Sequence, residues 1–96
     1  MRQTYVVSYD ISDPKRLRKV FKTMRGYGEH VQLSVFRCDL TETERLELRG
    51  KLEQVIHHRE DQVLFVDVGP ADGRGATSFS SLGRVYGQTP LHAVVV

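Results

Sequence analysis

The chain has 96 residues, 40% hydrophobic and 27% charged, with a formal net charge of +2. Such a chain makes one small globular domain, burying a limited share of its surface, so association with a second copy is expected. No apolar run reaches the length of a membrane span, the single Cys38 excludes an internal disulfide or a thiolate zinc site, and the mild charge excludes nucleic-acid binding by net charge alone.

The β-formers from Gln3 to Tyr9 predict a first strand ending at Asp10-Ile11-Ser12. The opening residues enter that strand without the features of a secretory signal, so a cytoplasmic location is expected. Asp13 is a good N-cap with Pro14 in the first helical position, and Leu17, Val20, Phe21 and Met24 then repeat at helical spacing. Gly26-Tyr27-Gly28 stops that helix. From Val31 to Leu40 the period changes to two, with Val31, Leu33 and Val35 on one face and Gln32, Ser34, Phe36 and Cys38 on the other. This predicts one strand, or two short strands joined by a bend. Cys38 is expected to be a small packing residue.

Thr41 with Glu44 forms a capping box, and Leu48, Leu52, Val55 and Ile56 give the second helix an apolar face. Gln62 to Gly69 predicts another strand, Gly69-Pro70 breaks it, and Asp72-Gly73-Arg74-Gly75 is expected to be a flexible loop. A short strand candidate around Phe79 to Tyr86, a turn at Gly87-Gln88-Thr89-Pro90 and the apolar run Leu91 to Val96 complete the chain. That last run needs cover, either on its own sheet or on another subunit. A βαββαβ order gives an α+β sandwich with both helices on one face of the sheet. Tyr5, Phe36 or Phe65 are the residues expected on the other face, against a second copy.

Two features suggest chemistry. Lys15, Arg16, Arg18, Lys19, Lys22 and Arg25 share one helix with no acid among them, a pattern that suits phosphate contacts and also suits a solvated helix face. Asp10 is a carboxylate at the end of a strand predicted to be buried. Its charge calls for a partner, either a divalent cation or a neighbouring arginine, or else a bond to the first turn of the helix.

Tyr9-Asp10-Ile11-Ser12-Asp13, Lys15 to Val20 and Tyr27 to Cys38 together resemble the small CRISPR-associated spacer-acquisition endonuclease family, the second of the universal CRISPR-associated proteins. The resemblance covers the first 40 residues closely and the remainder in size and order. It implies a ferredoxin-like fold, with residues 1–96 as one domain and residues 79–96 as a dimerisation segment whose extra C-terminal strand pairs across a homodimer. It also implies that Asp10 from two copies approaches across the twofold and holds Mg2+, and that the dimer acts with the CRISPR integrase on DNA or RNA, as nuclease or as adaptor. Asp10 is then the catalytic and metal residue, and Arg16, Arg18, Lys19, Lys22 and Arg37 are the nucleic-acid candidates. Arg37 either projects near Asp10 or pairs with an acid. Asp13 is assigned to capping, His57 and His58 to solvent, and His30 and His92 to no role.

Overall fold

The computed structural model describes residues 1–85. Strand β1 (Gln3–Asp10) leads into helix α1 (Pro14–Arg25), followed by β2 (Glu29–Gln32), β3 (Val35–Leu40), helix α2 (Glu42–Val55), β4 (Gln62–Pro70) and a single helical turn, α3 (Arg74–Thr77). The sheet order is β2-β3-β1-β4, antiparallel throughout. With α1 and α2 on one side, this is the ferredoxin-like α+β sandwich expected from the sequence.

Local chemistry sets the helix starts. Asp13 accepts a hydrogen bond from the Arg16 backbone N–H at 3.0 Å, with Pro14 opening α1. At α2, Thr41 Oγ1 accepts from Glu44 N at 3.1 Å while the Glu44 carboxylate accepts from Thr41 N at 2.9 Å, closing the capping box. The Glu44 carboxylate also receives Arg2.

The core lies between the sheet and the two long helices. Tyr5, Val7 and Tyr9 of β1 and Phe36, Cys38 and Leu40 of β3 meet Val20 and Met24 of α1 and Leu48 and Leu52 of α2, all buried. This corrects the expectation for Tyr5, Phe36 and Phe65. Phe36 packs edge-on against Phe21 of α1 at 5.6 Å and Tyr5 packs against Phe65 at 6.5 Å, all within one chain. The opposite face carries the alternate residues, Val6, Ser8 and Asp10 in register with Val66, Leu64 and Gln62. Leu64 and Val66 stand 53% and 45% exposed there, so the apolar side open to a partner is aliphatic. Leu17 also departs from its predicted stripe and lies at the helix surface.

The stretch from 31 to 40 forms two strands, with Leu33-Ser34 as the loop between the paired residues Gln32 and Val35. Leu33 takes φ +35° and is 84% exposed, so its place in an alternating apolar face is overturned. A two-residue hairpin loop wants positive φ to match strand twist, which a leucine adopts at a cost. Leu33→Asn is therefore expected to raise stability by about 0.5–1 kcal/mol in urea melts, because asparagine tolerates this region and the leucine is largely exposed. At the other end of β2, a methyl group on Gly28 would strike the Cys38 sulfur and lie 2.5 Å from the Arg37 carbonyl oxygen. Only glycine lets the chain leave α1 that close to β3.

Of the stretch expected to be a flexible loop, Asp72 and Gly73 form a turn while Arg74 and Gly75 begin α3, which packs on the open face with Gly75 against Thr4. The strand candidate near Phe79 is not formed among residues 79–85. Tyr86, the turn at 87–90 and the apolar run 91–96 lie outside the described residues, as does most of the segment expected to dimerise. Among the described residues, no helix is long and apolar enough to cross a membrane.

Candidate functional site

Asp10 ends β1, backbone-paired with Gln62, and its side chain is exposed. Alternation along the strand sends Tyr9 into the core and Asp10 to the open face. Among the described residues its carboxylate makes no hydrogen bond or ion pair, so the expected bond to the first turn of α1 is not made. Asp13 supplies that cap instead.

Ser12, two residues after Asp10, is held by a charge network that the sequence did not disclose. Asp61, just before β4, has no exposed side-chain surface. Its Oδ1 accepts from the Ser12 backbone N–H at 3.0 Å and from Ser12 Oγ at 3.2 Å. Its Oδ2 accepts from Arg16 Nε at 2.7 Å and from the His57 backbone N–H at 2.8 Å. Arg16 Nη2 also reaches Asp61 Oδ1 at 3.2 Å and Glu60 Oε1 at 3.3 Å. One carboxylate thus joins the turn after β1, the first turn of α1 and the end of α2. Arg16, a nucleic-acid candidate from the sequence, already has its charge matched here.

The Arg16 guanidinium holds the Asp61 carboxyl far below the usual carboxylate range, with the His57 and Ser12 N–H groups adding to the effect and burial opposing it. A folded-state value below the unfolded one contributes stability above the ordinary carboxylate range, and that stability is lost as pH falls towards the folded value. The melting temperature is therefore expected to fall progressively below about pH 4. Asp61→Asn should flatten that acid limb and lower stability near neutrality, as followed by thermal melts across pH.

The remaining cations fall in two places. Arg18, Lys19 and Lys22 are exposed on α1 and form no ion pair among the described residues, while Arg25 lies 5.9 Å from the Phe21 ring centroid. These belong to the helix layer, whereas Asp10 belongs to the open sheet face. Arg37 shares the Asp10 face, in register with Val6, roughly 13 Å along the strand from Asp10. It lies 3.6 Å from Asp39 and 5.3 Å from the Phe79 ring centroid, so of its two expected placements the pairing with an acid is the one observed.

Other candidates carry no chemistry. Cys38 is buried, and burial pushes its thiol up to about 12, which leaves no thiolate at neutral pH. His57 and His58 are exposed, and His30 packs beside Phe21 and Phe36 with Nε2 2.7 Å from the Leu33 carbonyl oxygen. Among the described residues, no three His, Cys, Asp or Glu side chains gather where a metal would bind. The donor chemistry at Asp10 still suits Mg2+, which takes oxygen ligands and commonly uses one or two carboxylates with water and substrate phosphate. A single chain offers one such carboxylate.

The family model described as CRISPR associated protein Cas2 matches residues 3–73. A Rhodospirillum rubrum protein named CRISPR-associated endoribonuclease Cas2 1 is 46% identical over 92 residues, covering 96% of this chain and 89% of its own. The Geobacter sulfurreducens protein named CRISPR-associated endoribonuclease Cas2 is 38% identical over 96 residues, covering 100% of both chains. Among solved structures, Streptococcus pyogenes Cas2 superposes with a TM-score of 0.73 at 33% identity, covering 83% of this chain and 99% of that one.

Proposed function

The chain belongs to the CRISPR-associated Cas2 family, and on that premise we propose that it is a homodimeric nucleic-acid-binding protein of CRISPR adaptation that acts with the CRISPR integrase and cleaves phosphodiester bonds at Asp10. The observation that carries this reading is the exposed carboxylate of Asp10, unpaired among the described residues, on the open sheet face that also carries the exposed Leu64 and Val66. Leu64 and Val66 on that face give a second copy an apolar surface to cover, which brings a second Asp10 to the same face. The two carboxylates would hold Mg2+, which when bound activates water and offsets charge on the phosphodiester. Arg18, Lys19 and Lys22 would bind flanking phosphates without reading sequence, so RNA and DNA are both admitted. The relatives' names, endoribonucleases, support RNA as the first substrate to try.

A non-catalytic adaptor is the second reading, favoured by the separation of Asp10 from the α1 cations on opposite layers. The test is cleavage of labelled single-stranded RNA and duplex DNA with and without Mg2+, by wild type and Asp10→Asn. Mg2+-dependent cleavage lost in the variant is the expected result. Equal cleavage by both proteins would overturn the assignment.

A further inference from the structure

We infer that Asp61 is a positioning residue for Asp10, acting through Ser12 and Arg16. The inference deepens the reading of Asp10 given above and rests on it for its functional meaning. Asp10 has no side-chain bond of its own among the described residues, so its place is set by its backbone. Two adjacent anchors hold that backbone. One is the pairing of Asp10 with Gln62, and the other is the Asp61 carboxylate gripping Ser12 N and Oγ at 3.0 and 3.2 Å. Since Asp61 directly precedes Gln62, both anchors belong to the start of β4, and the turn after β1 cannot shift without breaking one of them.

Arg16 holds the carboxylate from α1 at 2.7 Å, and the His57 N–H holds it from the end of α2 at 2.8 Å. A buried ion pair of this kind adds little stability over well-packed apolar residues of the same volume. Its distinctive effect is geometric, because three chain segments meet at one fixed pair of oxygens. An active-site carboxylate gains from such fixing, since a small misplacement of a catalytic group lowers rate strongly.

Asp61→Asn tests this, with Arg16→Lys as a milder second variant. In metal-free protein, backbone NMR order parameters at Asp10, Ile11 and Ser12 are expected to fall in Asp61→Asn from the rigid range, about 0.85, towards the flexible range below about 0.6. Mg2+ affinity, titrated directly on the folded protein, is expected to weaken by roughly tenfold, the lower end for residues that support a metal ligand. Salt-dependent binding to nucleic acid through Arg18, Lys19 and Lys22 should stay at the wild-type value, which a general loss of structure would not allow. If Asp61→Asn does not fold, Arg16→Lys carries the test, because it leaves both backbone N–H bonds to Asp61 in place and should loosen Ser12 in part. Unchanged order at residues 10–12 in a folded variant overturns the inference. Loss of order in a protein whose wild type binds no Mg2+ through Asp10 would uphold the positioning role and overturn the metal reading, so the two fail separately.

Discussion

Asp10→Asn is expected to reduce phosphodiester cleavage by more than about a hundredfold, because loss of the metal ligand proposed there should exceed the 10- to 100-fold typical of the residues that merely support one. Fold stability should change by less than about 0.5 kcal/mol, since the carboxylate is exposed and, among the described residues, makes no bond that the amide would break. The substitution keeps size and shape, so the backbone pairing with Gln62 and the open sheet face are left as they are. Thermal melts, size-exclusion chromatography and salt-dependent nucleic-acid binding should match the wild type. Cleavage lost with all three unchanged places the chemistry at Asp10. Should spacer acquisition survive in Asp10→Asn yet fail on charge reversal at Lys19 and Lys22, the protein is an adaptor whose working surface is α1. Arg16 is unsuited to that comparison, because reversing it would set a second carboxylate against that of Asp61 and break the network after β1.

What the sequence discloses follows the range of each interaction. The caps at Asp13 and at Thr41 with Glu44 are legible because donor and acceptor lie within one helical turn. The strands at 3–10 and 62–70 are legible from their β-formers, but not which face is buried. In β1 both alternating sets hold apolar residues, Tyr5, Val7 and Tyr9 against Val6, and only packing against α1 and α2 selects between them. The bend between two short strands is legible as an alternative to one strand, but not its place at Leu33-Ser34, because neither residue favours positive φ and the loop is imposed by strand pairing against local preference. Asp10 is visible as a charged strand end. Its support is not, because Arg16 and Asp61 are 45 positions apart and nothing near Asp61 marks it except its place before a strand.

Phe36→Ala tests the face assignment with the largest stability change expected in this chain, about 3–5 kcal/mol. Phe36 is fully buried in the central strand β3, beside Tyr9 at 6.3 Å, Phe21 at 5.6 Å and His30 at 5.0 Å. Strand, α1 and hairpin therefore all lose a contact together, and the surrounding rings cannot collapse into the space without drawing away from the strands and helix that carry them. Against a total of about 5–15 kcal/mol for a domain, this removes a large share of stability, and the melting temperature should drop by roughly 15–30 °C. The loss also distinguishes the two faces of the sheet. A residue packed on α1 within its own chain destabilises the monomer fold, so the drop should persist at every protein concentration. In the proposed homodimer a residue on the open face, such as Leu64 at 53% exposure, would act through association. Leu64→Ala should therefore lower the melting temperature only where dimer is populated, with an effect that changes as protein is diluted. A Phe36→Ala loss that shrinks on dilution would put Phe36 back at the subunit boundary and reverse the assignment of the two faces.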